Sequence, residues 1–141
     1  SSHTFGMFAF SVLSGWLTDR WGRRPVLLVG AVVLLTSCLL APLSPRVVSI
    51  AFALFLLGLG WNLCYVAGSA LLSDVLSSAE KGRMQGFNDL LVGGAAASAA
   101  MLGGLVMATS GYTTMGLLGA LVSAPLLVIG WRLPRGAAAP A

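Results

Sequence analysis

The charged side chains of this chain are few and gathered, and their grouping says what work they could do. Asp19, Arg20, Arg23 and Arg24 stand between two uncharged runs, 5–17 and 26–43, and a second group, Asp74, Glu80, Lys81 and Arg83, follows a third such run. Charges placed this way must sit in water or among headgroups, where acids and bases can pair. A reaction centre would need paired carboxylates, a nucleophile beside a base, or a metal cluster, and the apolar runs hold none of these. Enzyme chemistry, bound cofactors and metals are therefore not expected. His3 and Asp89 are the titratable groups near the apolar runs that could carry protons. Asp89 reads as an interfacial acid near Arg83 and Lys81, about one turn from the end of its run, so no Asp or Glu is expected at mid-membrane. Cys38 and Cys64 lie in separate apolar runs with no C-x-x-C, and read as small buried hydrophobes rather than a disulfide or zinc framework.

The elements that must position these groups follow from composition. The 141 residues are 57% hydrophobic and only 9% charged, whereas soluble domains carry about a quarter charged residues. An all-α polytopic helix bundle in a lipid bilayer is the fold class this implies. The net charge of +4, eight Lys and Arg against four acids, is scattered among connections. It is attributed to membrane orientation, and nucleic acid is excluded as a partner.

Five spans are expected, at about 2–18, 26–43, 47–72, 86–108 and 115–131, with a disordered cytoplasmic tail at 133–141. The first is short for a crossing of about twenty residues and reads as a helix whose start is missing. It lacks the basic leader and small-residue cleavage site of a signal peptide. Gly6, Ser11, Ser14 and Gly15 are its small positions. Pro25 suits the first turn of the second span, Pro42 and Pro45 close it, and Pro125 should kink the fifth. Ser77 and Glu80 fit a capping box, so a helix should begin near Ser78 and lead into the fourth span. There Ala96, Ala100, Gly104 and Ala108 form a small-residue ridge that implies close packing against another helix. Residues 109–114 read as a short uncharged turn containing Gly111. Lys and Arg alternate between connections in numbers that place Arg20, Arg23, Arg24, Lys81, Arg83, Arg132 and Arg135 in the cytoplasm, and the Ser44 and Gly111 turns outside.

The first charged turn, Gly15-x-Leu17-x-Asp19-Arg20-x-Gly22-Arg23-Arg24 with Leu27 beyond, resembles the signature loop of the major facilitator superfamily of secondary transporters. That loop follows the second span in the family and recurs after the eighth. The third span here lacks the intramembrane Arg often found in span four, and the fourth lacks the Gly-Pro element that drug and proton antiporters carry in span five. A short tail also follows the last helix. The resemblance then implies spans eight to twelve, the C-terminal part, with the N-terminal half of the transporter, the bilayer, a small-molecule substrate and a coupling proton as partners.

In the family, the acid of this loop faces a helix N-terminus in the opposite half, and a loop arginine pairs with an acid two spans on. Residue by residue, the resemblance gives these roles to Asp19, Arg23 and Asp74. Asn62, near the middle of the third span, either bonds a neighbouring helix or lines the central cavity, and Trp61 and Tyr65 beside it either pack or stack on an amphipathic substrate. The reading from another class is a small self-assembling membrane protein, a compact exporter or a structural subunit. Such exporters depend on an acid buried in the first span, and none occurs here.

Overall fold

The structure is a computed structural model describing residues 2–43 and 46–134, with the side chain of Ser2 outside that description. All regular elements among these residues are helical: α1 (Ser2–Phe8), α2 (Ser11–Trp21), α3 (Arg23–Leu40) with a 3-10 turn (Ala41–Leu43), α4 (Val47–Asp74) and α5 (Ser78–Arg132). Three stretches, Arg23–Leu43, Val47–Asp74 and Ser78–Arg132, are long and apolar enough to cross a membrane. The fold is an all-α membrane helix bundle. The expected tail falls largely outside the described residues, as do Ser44, Pro45 and Arg135.

Glycine sets both sharp reversals. The charged turn expected between the first two spans narrows to Gly22, which links Trp21 to Arg23 at φ 90° and ψ 160°. Side chains with a Cβ rarely adopt that φ, so glycine alone lets one residue reverse the chain here. The turn expected at 109–114 likewise narrows to Gly111 (φ 75°, ψ −179°), the one non-helical residue inside α5. Val92 and Leu126 line the same groove although a straight helix would hold them about 50 Å apart. Residues 78–110 and 112–132 are therefore two arms folded back on each other. Pro125 lies within the second arm with helical backbone dihedrals.

The first expected span is interrupted. α1 ends at Phe8, α2 begins at Ser11, and Phe10 sits at φ −106°, ψ 9°. The cause lies on α4. In an unbroken helix the Met7 carbonyl would accept the Ser11 N–H four residues on; here it accepts the Asn62 side-chain amide instead. A polar group inserted into the helical ladder is a recognised cause of a helix break.

α4 is the spine. A Cβ on Gly6 would lie 2.5 Å from the Phe55 carbonyl, and one on Gly58 would strike the His3 carbonyl, so α1 and α4 pack backbone on backbone. On the opposite side, a Cβ on Gly60 would lie 2.8 Å from the Leu34 N and 2.9 Å from the Gly30 O. Helices that share lipid gain little from the hydrophobic effect on associating, so contact depends on such close approach and on polar ties. Val26, Leu27, Leu63 and Ala67 form the buried core between α3 and α4. Towards the other end of the same pair of helices the Ser37 hydroxyl donates to the Ala53 carbonyl at 2.8 Å. The ridge at Ala96, Ala100, Gly104 and Ala108 is exposed, with no neighbour within 4 Å of where a Gly104 Cβ would stand.

Gly60→Ala should therefore destabilise the full-length protein by about 1–3 kcal/mol through overpacking of α3 on α4. Gly68→Ala, with open space around it, should be neutral or stabilising by up to about 1 kcal/mol through helix propensity. Thermal unfolding in detergent checks this, and equal midpoints for the two variants would contradict the packing.

Candidate functional site

Arg23, the first residue of α3, joins three segments. Its Nε donates to Asp74 Oδ2 at 2.9 Å and its Nη2 to Asp74 Oδ1 at 3.4 Å, a two-pronged pairing with the end of α4. Its Nη1 donates to Asp19 Oδ1 at 3.3 Å and to the Thr18 carbonyl at 3.2 Å, near the end of α2. The Gly22 reversal makes this possible, because it returns Arg23 to the end of the helix it has just left. The side chain of Arg23 is 17% exposed, that of Asp74 49% and that of Asp19 74%. The more shielded Arg23–Asp74 pair is the stronger, since screening by water weakens the exposed i,i+4 pair to about 0.3–0.5 kcal/mol. Asp19 keeps most of its carboxylate open to a partner outside the described chain.

The neighbouring arginines do different work. Arg20 lies over the Trp16 ring at 5.2 Å. Arg24 reaches across the bundle, with Nε donating to the Gly130 carbonyl at 3.0 Å and Nη2 to the Trp131 carbonyl at 2.9 Å, its guanidinium 5.8 Å from the Trp131 ring. Those carbonyls belong to the last turn of α5, which has no intrahelical donors left, so a cation there satisfies orphan acceptors and the negative end of the helix dipole. Gly15 makes no close approach to a neighbour, and its place in the motif has no counterpart in the packing.

The mid-helix residues divide into two groups. Asn62, 2% exposed, accepts from the Ser14 hydroxyl and donates to the Met7 carbonyl and, at 2.9 Å, to Ser11 Oγ. Of the two roles open to it in the sequence, the structure shows the bond to a neighbouring helix. Trp61 and Tyr65 instead stack on each other, with centroids 4.8 Å apart and planes 8° from parallel. Both line a groove of about 290 Å³ shared by α3, α4 and both arms of α5.

Asp89 lies about three turns, or about 16 Å, along α5 from Ser78, past the polar stretch that holds Glu80, Lys81 and Arg83, and is exposed. It accepts from the Tyr65 hydroxyl, and no ion pair joins it to Arg83 or Lys81 among the described residues. His3 Nδ1 lies 3.4 Å from the Leu54 carbonyl, far from Asp89 in the chain's packing and on the α1 side of α4.

Sequence reasoning passed over Ser11 and Ser14 as merely small, although hydroxyls three apart on one helix face signal a polar contact. It also passed over Gln85, whose amide donates to the Ser69 carbonyl at 3.1 Å and to Ser73 Oγ at 3.0 Å, pinning the first arm to the end of α4. At the start of that arm the Glu80 carboxylate accepts from the Ser77 N–H at 3.2 Å and from its hydroxyl, while the Glu80 N–H donates to the Ser77 carbonyl at 3.0 Å.

An apolar helix bundle whose charged turn is clamped to a neighbouring helix end defines a polytopic membrane protein. Its sequence matches the family model described as Major Facilitator Superfamily over residues 1–141, and the chain belongs to that family. It is 35% identical to the riboflavin transporter RfnT of Brucella anthropi over 99% of this chain and 35% of the relative. It is 33% identical to the uncharacterized MFS-type transporter YdeG of Bacillus subtilis over 94% of this chain and 32% of the relative. It is also 31% identical to the multidrug resistance protein MdtL of Klebsiella pneumoniae over 60% and 21% respectively. The chain thus spans about a third of the length of the first two relatives. No solved structure matches it.

Replacing Arg24 by Met should leave the Gly130 and Trp131 carbonyls without that donor and loosen the last turn of α5. Hydrogen–deuterium exchange at 128–132 should then quicken severalfold, while Arg20→Met, which removes only the contact with Trp16, leaves it unchanged. Identical exchange in the two variants would refute the capping role of Arg24.

Proposed function

We propose that this chain is the C-terminal part, about spans eight to twelve, of a secondary active transporter that moves a small solute across the cell membrane by alternating access. The absence of an arginine within α4 supports that placement over the earlier spans. Its charged end lies in the cytoplasm, the C-terminus with it, and the rest of the transporter supplies the opposing half. The observation that carries the reading is the position of Arg23 between Asp19 and Asp74. One guanidinium holds the α2–α3 turn to the end of α4, and the exposed Asp19 remains free to meet the positive N-terminus of a helix from the other half. These contacts hold the cytoplasmic side closed and break when that side opens. Transport runs without chemistry on the solute, and protons coupled to its movement serve as the driving ion. The riboflavin and multidrug relatives make an organic solute the substrate class to test first.

Two measurements on the full-length transporter test this. A cysteine at Ser77 should react with a membrane-impermeant thiol reagent only from the cytoplasmic side, and one at Thr113 only from outside. Asp19→Asn should lower transport without lowering membrane insertion. Losing a latch worth about 1–3 kcal/mol should raise cytoplasmic-side labelling of cavity cysteines by about 5- to 150-fold. Normal transport with unchanged labelling would leave the turn as a topological anchor only.

A further inference from the structure

The groove at Trp61 and Tyr65 has features that packing alone does not require. Trp61 lies roughly halfway along α4, the depth at which secondary transporters hold their solutes near the bilayer midplane. Its ring and that of Tyr65 are stacked in nearly parallel planes, 8° apart with centroids 4.8 Å apart, and both line the groove. Gly68 leaves the next turn open, with nothing within 4 Å of where a Cβ would stand. Across the groove the first arm of α5 supplies Asn88 and, through the Tyr65 hydroxyl, Asp89. Asp89 is exposed at the edge of the groove, and a single neutral hydroxyl is its partner among the described residues. Its remaining lone pairs stay available to a donor.

From this arrangement we infer that the groove is a solute subsite for planar aromatic molecules carrying N–H donors. The solute extends the Trp61–Tyr65 stack, as offset parallel rings favour, and directs an N–H to Asp89. The walls, Leu34, Val92 and Leu126, are apolar and come from three different segments, so the subsite exists only when α3, α4 and both arms of α5 are assembled. Asn62, one residue from Trp61, faces the other way into the α1–α2 break, which frees the groove side of α4 for solute.

This inference rests on the transporter reading, and one set of binding measurements separates the two. Proflavine, a flat diamino-aromatic fluorophore, serves as probe on the purified full-length transporter, with tetrapentylammonium, an aliphatic cation without donors, as comparison. Wild type should bind proflavine more tightly than tetrapentylammonium. Trp61→Leu and Asp89→Asn should each weaken proflavine roughly tenfold and tetrapentylammonium by less than about twofold, in line with the loss of one stacking face or one charged acceptor. Asn at 89 can still accept from Tyr65, and Trp61→Phe keeps a flat ring and should bind proflavine within about threefold of wild type, so the losses read the subsite and not the fold. No preference for proflavine, unchanged affinity in both variants, or an equal loss in Trp61→Phe would overturn the inference. If the groove variants are silent while Asp19→Asn still shifts cysteine labelling, the subsite falls and the transporter reading stands. If neither responds, both fall.

Discussion

The bond between Arg23 and Asp74 is the contact on which the charged end of this bundle depends. It joins the start of α3 to the end of α4, and it forms only because Gly22 reverses the chain in a single residue and turns the guanidinium back over the end of α2. One side chain then satisfies a carboxylate on α4, a carboxylate on α2 and a backbone carbonyl at the end of α2. Charge-assisted and two-pronged, the pairing is directional, and half-exposure keeps its strength within the range that a conformational change can reverse. A fully buried pair would cost several kcal/mol to open and would serve better as a permanent strut.

Elsewhere the contacts are of a different kind. Between α1 and α4 and between α3 and α4, glycines bring backbones together, and no side chain can rearrange to part them. Asn62 is enclosed with Ser11, Ser14 and the Met7 carbonyl, with both polar atoms of its amide bonded. These are fixed joints. The charged end, by contrast, is joined through arginine, glutamine and carboxylates at the tips of helices: Arg23 to Asp74, Arg24 to the last carbonyls of α5, Gln85 to Ser69 and Ser73. A rigid bundle with polar, breakable ties at one end can rock as a body about that end, the motion that the proposed alternating access would use.

Much of this was legible because it is local or compositional. The apolar runs show where helices lie, the Ser77–Glu80 pair marks the start of α5 within a few residues of itself, and the charges that must avoid lipid are few enough to locate by eye. The Arg23–Asp74 pairing was accessible only through the family's motif, since nothing in the spacing of residues 51 apart shows that they meet. What the sequence hid was long-range or geometric. The break between α1 and α2 is made by Asn62, on another helix, and α1–α2 alone reads as one helix. The hold of Arg24 on Gly130 and Trp131 spans most of the chain. The hydrogen bond from Tyr65 to Asp89 joins residues 24 apart on two helices, and no local pattern shows it.

The account stands or falls on whether the Arg23–Asp74 bond controls access to the cavity. The direct measurement is a charge-exchange cycle in the full-length transporter, with Cys38 and Cys64 replaced by Ser and a single reporter cysteine at Ser69, on the groove near the charged end. Arg23→Asp and Asp74→Arg should each speed labelling of that cysteine from the cytoplasmic side by about fivefold or more, a latch of about 1 kcal/mol or greater. The double exchange, which restores the pair with its charges reversed, should return labelling most of the way to the wild-type rate. Labelling that stays at the wild-type rate in both single variants, or a double exchange no slower than the singles, would contradict it.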